Sequence, residues 1–265
     1  NPIKHSLSPV IHAAFADQFS ISLKYTAELI EPHDFKDSVD RFFAAGGCGI
    51  NVTVPFKSEA FQIAAKASQR ADRAGAANTL LCKKNEVECD NTDGAGLVCD
   101  LKENLSWAIK SKRILVIGAG GATQGILEML LKEDPAYIHI ANRTKSKAID
   151  LAWQFSDLGS VEGAGIDDIA GERYDLIFNA TSASVKQERL SLPTNLINEK
   201  VCCYDLAYGS APTEFINWAT GLNPMGLTDG LGMLVEQAAE SFFLWHGVRP
   251  NTKLVLNQLR TNQVL

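Results

Sequence analysis

A glycine-rich loop follows a run of apolar residues near the middle of the chain, and its composition suits the binding of a pyrophosphate. Residues 113–122 read Arg-Ile-Leu-Val-Ile-Gly-Ala-Gly-Gly-Ala. The apolar run predicts a strand buried on both faces, and the glycines predict a tight turn that opens onto a helix. Backbone N–H groups at such a helix N-terminus bind phosphate, which indicates a dinucleotide site. Thr123 stands where the Gly-x-Gly-x-x-Gly spacing needs glycine, so a simple tight turn is the alternative.

Basic residues follow the next predicted strand, at the place where the ribose of a dinucleotide is usually bound. The chain has Asn142, Arg143 and Thr144 there, where a site for a cofactor without a 2′-phosphate usually has Asp or Glu. Arg143 offers paired N–H donors to a phosphate, and Lys147 adds positive charge. The pattern therefore favours NADP as the cofactor, with the solvated start of a basic helix as the alternative.

Lys57 lies where another predicted strand gives way to a helix. The segment 49–54 has the pattern of a strand and 58–68 that of a helix. A lysine near a helix N-terminus opposes the helix dipole at a cost of about 0.5 kcal/mol, so local stability does not explain its presence. Open α/β sheets place their sites at the carboxyl ends of strands. Lys57 is therefore a candidate site residue, and a solvated surface lysine is the alternative.

Two polar loops complete the set of candidates. Ser6 and Ser8 lie two residues apart in a loop restricted by prolines, and in extended backbone their hydroxyls would face the same way. Residues 90–96 carry small polar side chains, Asp93 among them, immediately before an apolar helix. The alternative for both loops is helix capping, with Ser8 before Pro9 in the first of them.

The elements around these residues alternate between strand and helix. From residue 113 onward the periodicity predicts strands at 114–117, 137–141, 175–179 and 201–205, with helices at 121–133 and 145–155. Right-handed crossovers in a parallel sheet follow from this alternation. Elsewhere we predict strands at 25–30 and 49–54, a hairpin at 78–89, and helices at 10–19, 35–45, 58–68, 233–245 and 252–263.

Composition excludes several classes of function. The formal net charge is −6 and 46% of the residues are apolar. No cluster of Lys and Arg and no apolar run of roughly 20 residues occurs, so neither nucleic acid nor a membrane is predicted as a partner. The six cysteines lack Cys-x-x-Cys spacing and the five histidines lack His-x-x-x-His spacing, so no metal site is predicted. We expect a cytoplasmic protein that acts on a small molecule.

Seven separated motifs together cover nearly the whole chain. They are Asn1-Pro-Ile-Lys-His-Ser-Leu-Ser-Pro9, Gly49-Ile-Asn-Val-Thr-Val-Pro-Phe-Lys57, Gly75-Ala-Ala-Asn-Thr79, Asp90-Asn-Thr-Asp-Gly94, Gly118-Ala-Gly-Gly-Ala122, Asn142-Arg-Thr144 and Asp229-Gly-Leu-Gly-Met-Leu-Val-Glu-Gln-Ala238. Any one of them alone would be a weak sign. All seven in this order resemble the shikimate dehydrogenases, so the chain is identified as similar to that family.

The resemblance implies an α/β protein of two domains, with the active site in the cleft between them. A substrate-binding, catalytic domain would combine residues 1–94 with 230–265, and a Rossmann-type NADP-binding domain would span 95–229. The implied reaction is the reversible reduction of 3-dehydroshikimate to shikimate by NADPH, in the biosynthesis of chorismate and the aromatic amino acids. The implied assembly is a monomer or a homodimer.

The resemblance also implies which residues form the site. Lys57 and Asp93 are the implied catalytic pair. The implied substrate-binding residues are Ser6, Ser8, Asn51, Thr53, Asn78, Asp93, Tyr208 and Gln237. The implied cofactor-binding residues are Gln69, Gly118, Ala119, Gly120, Gly121, Ala122, Asn142, Arg143, Thr144, Lys147, Thr181, Leu206, Gly230 and Met233.

These residue types fit the implied chemistry. Hydride transfer to a ketone creates an alkoxide, which needs a proton donor within hydrogen-bond reach. Lys57 can be that donor and Asp93 can hold its ammonium, although either member of a coupled pair could formally carry the proton. Hydroxyl and amide side chains suit a polyhydroxylated ring, because a buried polar group left without a partner costs about 1–3 kcal/mol.

Four features depart from what is usual in the family, and two other functions stay open. The segment Ala183-Ser184-Val185 lacks the glycine that is often found there. Gln69 stands where an acid is often found, Lys147 where arginine is common, and Leu206 where methionine is common. The nearest alternative is a quinate/shikimate dehydrogenase that accepts both acids and both nicotinamide cofactors, and the segment 142–144 speaks against it. The other is a nucleotide-binding regulator that has lost the reaction, and the intact catalytic pair speaks against that.

Overall fold

The chain divides into two compact units in a computed structural model that describes residues 6–181 and 192–261. Unit 1 comprises Asn1–Leu97 and Leu234–Asn262, and unit 2 comprises Val98–Met233 with Gln263–Leu265. The first five residues of the N-terminal motif lie outside the described residues. The assignment of residues 1–94 and 230–265 to a catalytic domain and of residues 95–229 to an NADP-binding domain stays a prediction.

The described residues contain ten α-helices, and none of these helices has the length and apolar character needed to cross a membrane. They are α1 (Ser8–Asp17), α2 (Phe35–Ala44), α3 (Lys57–Ile63), α4 (Gln69–Ala74), α5 (Asp93–Cys99), α6 (Gly121–Lys132), α7 (Lys145–Phe155), α8 (Glu214–Thr220), α9 (Leu231–His246) and α10 (Thr252–Thr261). A π-helical segment, Asp100–Asn104, follows α5. Short 3-10 helices occur at Pro32–Asp34, Ile166–Ile169 and Thr194–Leu196.

Unit 1 is built on a four-stranded mixed sheet. Its strands are β1 (Gly49–Asn51), β2 (Lys66–Ala67), β3 (Thr79–Lys83) and β4 (Glu86–Asp90), in the order β1-β3-β4-β2. Strands β1 and β4 are antiparallel to β3, and β2 runs parallel to β4. Asn51 lies opposite Thr79, and Thr79 lies opposite Asp90. The register therefore aligns polar residues of three strands at one end of the sheet.

An apolar cluster joins α2, α3 and β3 and holds this end of the sheet in place. Phe35 of α2, Phe56 immediately before α3 and Leu80 of β3 are buried together. The rings of Phe35 and Phe56 stack with their centroids 4.7 Å apart. Helix α9 is attached to the same strand, because the indole N–H of Trp245 donates to the Leu80 carbonyl at 3.1 Å.

Unit 2 is built on a six-stranded parallel sheet. Its strands are β5 (Arg113–Ile117), β6 (Tyr137–Asn142), β7 (Val161–Gly165), β8 (Leu176–Asn179), β9 (Cys202–Asp205) and β10 (Gly226–Thr228), in the order β7-β6-β5-β8-β9-β10. The four residues 114–117 of β5 are fully buried, as a central parallel strand requires. The strand order reverses between β5 and β8, which is where such sheets bind ligands at their carboxyl ends. The Rossmann-type fold expected from the sequence is confirmed.

Three elements of unit 1 differ from the sequence-based expectation. The strand expected at 49–54 ends at Asn51. Among the described residues no strand is assigned at 25–30, since no neighbouring backbone pairs with this extended segment in a ladder. The helix expected at 58–68 ends at Ile63, and the chain then forms β2. The N–H groups of Ala65 and Ser68 donate to carbonyls of β4 at 2.8 and 2.9 Å, so pairing with a neighbouring strand outweighs the helical periodicity there.

Candidate active site

Lys57 and Asp93 form an ion pair at the start of two helices. Lys57 is the first residue of α3 and Asp93 is the first residue of α5, and Lys57 Nζ lies 2.5 Å from Asp93 Oδ2. The two side chains are 20% and 8% exposed. The carboxylate explains how a lysine is tolerated at a helix N-terminus, because it supplies the negative charge that this end of a helix favours. An ammonium held in this way can give a proton to an oxygen placed beside it.

Asn78 holds the second oxygen of the Asp93 carboxylate. Its Nδ2 lies 2.8 Å from Asp93 Oδ1 and 3.0 Å from Gln237 Oε1. Its Oδ1 accepts the backbone N–H of Thr92 at 2.8 Å. Asn78 is only 3% exposed. Within unit 1, Asp93 is therefore held through both of its oxygens, and two residues expected at the substrate lie in direct contact with each other.

Asn51 extends this polar cluster towards Tyr25 and helix α9. The Tyr25 hydroxyl donates to Asn51 Oδ1 at 2.8 Å, and Asn51 Nδ2 donates to Ser241 Oγ at 2.9 Å. Burial raises the pKa of Tyr25, and a hydrogen bond from Ser8 opposes that shift. Tyr25 therefore stays protonated and remains a donor at neutral pH. Gln237 lies one turn before Ser241 on α9.

Ser6, Ser8 and Thr53 lie at the margin of the cluster. Ser6 Oγ accepts the backbone N–H of Ser8 at 3.3 Å, and Ser8 is the first residue of α1 while Leu7 is its N-cap, so Ser8 does not cap this helix. Ser8 is partly buried, and its hydroxyl lowers the pKa of the nearby Tyr25 against the effect of burial. Thr53 is exposed. The structure thus connects Ser8 to the cluster and leaves Thr53 at the surface.

In unit 2, Gly118 makes the turn that follows β5. Its φ of +108° lies in the left-handed region, which favours glycine. Thr123 is fully buried, and its hydroxyl donates to the Gly118 carbonyl at 2.7 Å. The threonine that departs from the three-glycine spacing therefore holds the turn closed from inside the first turn of α6.

The next two glycines leave open space in front of α6. A Cβ added at Gly120 or Gly121 would meet no atom within 4 Å. Gly120 precedes the helix and has no side chain to cap it, so the first turn offers backbone N–H groups to a ligand. The neighbouring Ala119 and Ala122 are partly exposed. This loop can hold a phosphate with backbone groups alone.

The segment 142–147 presents positive charge to solvent at the start of α7. The exposed residues include Arg143, Thr144 and Lys147, and Asn142 is partly buried with its Nδ2 donating to the Thr144 carbonyl at 2.9 Å. Lys145 pairs with Asp168 at 2.9 Å, and this ammonium lowers the pKa of the Asp168 carboxyl. Within the described ranges Arg143 and Lys147 have no ion-pair partner, so these two charges remain for an anionic ligand.

A buried carboxylate anchors the loops that follow β8 and β9. Asp205 accepts hydrogen bonds from Asn179 Nδ2 at 3.1 Å and from the Thr213 hydroxyl at 2.5 Å. Asn179 Oδ1 accepts the hydroxyl of Thr181 at 2.8 Å. The N–H of Leu206 donates to the Asn179 carbonyl at 2.9 Å. These bonds hold Thr181 and Leu206 at the carboxyl end of the parallel sheet.

Gly230 and Met233 lie where the chain enters α9. A Cβ on Gly230 would come within 2.2 Å of the Leu206 carbonyl oxygen, so only glycine fits there. The Met233 N–H donates to the Tyr204 hydroxyl at 3.1 Å.

Two residues lie in the opposite unit from the rest of their expected group. Tyr208, expected at the substrate, lies in unit 2 in the loop after β9, where burial raises its pKa. Gln69, expected at the cofactor, begins α4 in unit 1 and is exposed.

Several polar side chains complete the cluster of unit 1 although the sequence did not single them out as site residues. They are Tyr25, Thr79, Thr92 and Ser241. Thr79 and Thr92 stand inside motifs that the resemblance uses, whereas Ser241 carries no sequence signal of its own. In the part of the chain that the structure describes, no group of His, Cys, Asp and Glu residues could hold a metal ion.

Three family models match consecutive parts of the chain. A model described as "Shikimate dehydrogenase substrate binding domain" matches residues 1–80. One described as "Shikimate / quinate 5-dehydrogenase" matches residues 100–207, and one described as "Shikimate 5'-dehydrogenase C-terminal domain" matches residues 230–260.

Individual proteins are similar over nearly the full length. The shikimate dehydrogenase (NADP(+)) of Cellvibrio japonicus is 50% identical over 261 residues, which cover 98% of this chain and 94% of the relative. Among solved structures, an Ael1 enzyme from Pseudomonas putida has a TM-score of 0.92 at 40% identity, with 98% of this chain and 95% of that chain covered. A shikimate dehydrogenase in complex with NADP+ has a TM-score of 0.87 at 31% identity, with coverages of 99% and 93%.

Proposed function

The chain belongs to the shikimate dehydrogenase family, and we propose that it reversibly reduces 3-dehydroshikimate to shikimate with NADPH as the reductant. It is then an NADP-dependent oxidoreductase that acts on a secondary alcohol, on the route to chorismate and the aromatic amino acids. The observation that carries the proposal is the Lys57–Asp93 pair, held within the polar cluster of unit 1. The relative that is 50% identical bears the name of this activity.

Lys57 supplies the proton in the direction of ketone reduction. As negative charge develops on the carbonyl oxygen, the Lys57 ammonium donates a proton to it. Asp93 keeps the ammonium in place, with its Oδ2 at 2.5 Å from Nζ. In the direction of alcohol oxidation the pair takes the proton back.

Hydroxyl and amide groups around this pair would bind the ring of the substrate. The proposed contacts are Ser6, Ser8, Asn51, Thr53, Asn78, Asp93, Tyr208 and Gln237. Support comes from Asn51, Asn78 and Gln237, which belong to one hydrogen-bonded cluster with Asp93. A site made of such groups rejects analogues that leave its buried polar atoms unpaired.

The residues of unit 2 fit NADP. NADPH supplies the hydride when it is bound. The loop 118–122 would hold its pyrophosphate, because the space in front of Gly120 and Gly121 is open. Arg143 and Lys147 would hold the 2′-phosphate, with Asn142 and Thr144 beside them. The remaining proposed cofactor contacts are Gln69, Thr181, Leu206, Gly230 and Met233.

The proposal also covers the cellular location and the oligomeric state of the protein. The protein acts on a small molecule, and we propose that it does so in the cytoplasm as a monomer or a homodimer. Sedimentation of the purified chain at several concentrations would decide between the two assemblies.

One assay tests the proposed function. NADPH oxidation is followed at fixed enzyme with 3-dehydroshikimate, and is then repeated with NADH and with 3-dehydroquinate. We expect turnover with 3-dehydroshikimate and a clear preference for NADPH. Comparable rates with both acids and both cofactors would instead identify a quinate/shikimate dehydrogenase. Cofactor binding without turnover of either acid would identify a regulator.

A further inference from the structure

We propose that Thr79 and Ser241 are positioning residues for the catalytic pair. Their hydroxyls lock the side-chain amide of Asn78, and that amide fixes the Asp93 carboxylate beside Lys57. The inference rests on the proposed function and gives a role to two side chains for which the family resemblance implies none.

The orientation of the Asn78 amide follows from its backbone partner. The Thr92 N–H can only donate, and it lies 2.8 Å from the oxygen end of this amide. The opposite orientation would bring two donors together, so Oδ1 must face Thr92. Nδ2 then faces Asp93 Oδ1, which can only accept when the carboxyl is ionised, at 2.8 Å. The Asp93 carboxylate is thus held from the side opposite to Lys57.

Thr79 and Ser241 secure the oxygen end of the same amide. Thr79 Oγ1 lies 3.0 Å from Asn78 Oδ1, and because that oxygen only accepts, the Thr79 hydroxyl is the donor. The Thr79 oxygen can then accept from the Ser241 hydroxyl, whose Oγ lies 2.7 Å away. Thr79 and Ser241 are both fully buried. Removal of the Thr79 hydroxyl takes one hydrogen bond from the Asn78 oxygen, and water cannot replace that bond at a fully buried position.

The chain of hydrogen bonds continues beyond Ser241 in the same direction. Asn51 Nδ2 lies 2.9 Å from Ser241 Oγ, and Tyr25 donates to the oxygen of the same Asn51 amide at 2.8 Å. Ser241 Oγ also lies 3.1 Å from the Gln237 carbonyl, which competes with Thr79 for the one hydroxyl proton. When Ser241 donates to Thr79, every link runs from donor to acceptor towards the catalytic pair. Its members in order are Tyr25, Asn51, Ser241, Thr79, Asn78 and Asp93. Hydrogen bonds ordered in this way strengthen one another in a buried environment.

Disruption of this chain of hydrogen bonds should lower kcat and leave the affinity for the substrate nearly unchanged. Without the Thr79 hydroxyl the amide keeps its orientation through Thr92 but is held by fewer bonds. The Asp93 carboxylate then has a less rigid partner, and the Lys57 ammonium is no longer held at one place. Misplacement of a catalytic group lowers the rate of the reacting complex, whereas the contacts that bind the ground state remain.

A matched pair of substitutions at one position tests this. Thr79→Val keeps the shape of the side chain and removes the hydroxyl, and Thr79→Ser keeps the hydroxyl. We expect Thr79→Val to lower kcat about tenfold, the size that corresponds to the loss of one buried hydrogen bond, with KM for shikimate changed by less than about twofold. Thr79→Ser should keep kcat within about twofold of the wild type, because the hydrogen bond is retained. Thermal melting establishes that both variants are folded under assay conditions, and Ser241→Ala replaces Thr79→Val if the latter does not fold.

A second measurement does not depend on turnover. Hydrogen exchange of the Asn78 side-chain amide, followed by NMR, should be slow in the wild type and in Thr79→Ser and faster in Thr79→Val. If the wild type does not reduce 3-dehydroshikimate, the proposed function is wrong. The exchange measurement still tests whether Thr79 holds the Asn78 amide in place. Unchanged kcat and exchange in Thr79→Val would overturn the inference. A rise in KM alone, or equal losses in Thr79→Val and Thr79→Ser, would overturn it as well.

Discussion

The candidate catalytic cluster of unit 1 and the candidate cofactor loop of unit 2 are built in opposite ways. In unit 1, Asn78 and Asp93 are 3% and 6% exposed and are held by side chains from distant parts of the chain. In unit 2, Arg143 is exposed and the space before Gly121 is open. A proton donor must be in place before the substrate arrives, whereas a phosphate needs only backbone N–H groups and nearby charge. Substitutions in the buried cluster of unit 1 should therefore have effects that do not depend on the cofactor. Substitutions in the open cofactor loop of unit 2 should have an effect only when the cofactor is bound.

The largest effect is expected for Lys57→Ala. General acid catalysis contributes a factor of about 10² to 10⁴, so kcat should fall by at least about a hundredfold while the affinity for shikimate changes little. Steady-state kinetics and titration with shikimate measure the two quantities. Lys66→Ala is the control, because Lys66 is 66% exposed and pairs with surface carboxylates. A Lys57→Ala variant that kept kcat but lost shikimate binding would make Lys57 a substrate contact and leave the proton donor to be found elsewhere.

A pair of glycine substitutions tests the contrast in packing between the two units. A Cβ on Gly96 of α5 would lie 2.7 Å from the backbone nitrogen of Gln237, which cannot move aside, whereas a Cβ on Gly121 would meet nothing within 4 Å. Gly96→Ala should lower the free energy of unfolding by about 2 kcal/mol through overpacking. Gly121→Ala should leave it unchanged without cofactor and raise KM for NADPH. Urea denaturation of the cofactor-free proteins checks this, and equal losses of stability would remove the contrast.

The buried interior of unit 1 should also make stability depend on pH through His12. Its ring is fully buried and stacks on Tyr25 with centroids 4.4 Å apart, and burial lowers the pKa of His12 from 6.5 to about 3. Since the unfolded chain binds this proton first, stability is complete above pH 6.5 and is lost as the pH falls towards 3. The free energy of unfolding should drop by about 2 kcal/mol between pH 8 and pH 5 from this group.

His12→Phe, compared with a change at an exposed histidine, isolates that contribution. Phenylalanine keeps a ring in the stack and cannot take a proton, so the acid-induced loss should shrink by the same amount. His33→Asn is the control, because its side chain is 80% exposed. The same pH dependence in wild type and His12→Phe would show that His12 does not contribute it.

The smallest effect is expected in unit 2, for cofactor choice. Arg143→Ala should raise KM for NADPH about tenfold or more relative to that for NADH, because a charged phosphate pair contributes roughly 1.5–3 kcal/mol. Lys145→Ala is the matched control, since Lys145 is exposed on the same helix but already paired with Asp168 at 2.9 Å. Equal losses with both cofactors, or equal effects of the two substitutions, would mean that Arg143 does not bind the 2′-phosphate.

The same contrast explains how much of the fold could be predicted. The apolar runs of unit 2 gave strand and helix limits close to those observed, and the helix at 145–155 matches α7 at both ends. A parallel strand buried on both faces carries its own signal in the sequence. In unit 1 the segment 66–67 became a strand because β4 lies beside it, and no local pattern reveals that neighbour.

Some residues of the candidate site could be predicted from the sequence and others could not. The glycines of the loop 118–121 and the basic residues after β6 were evident from local spacing. Ser241 was not, because its partner Asn51 lies 190 residues away in sequence. The role of Thr123 also needed the structure, since its bond to the Gly118 carbonyl depends on how the turn closes.

One experiment that combines two variants with two cofactors tests most directly whether unit 1 supplies the proton donor and unit 2 selects the cofactor. Oxidation of shikimate is measured with NADP+ and with NAD+ for the wild type, Lys57→Ala and Arg143→Ala. We predict that Lys57→Ala lowers kcat by the same factor with both cofactors, because proton transfer does not involve the 2′-phosphate. Arg143→Ala should raise KM for NADP+ alone and leave kcat in place. A change of cofactor preference in Lys57→Ala, or an equal fall of kcat with both cofactors in Arg143→Ala, would contradict the account.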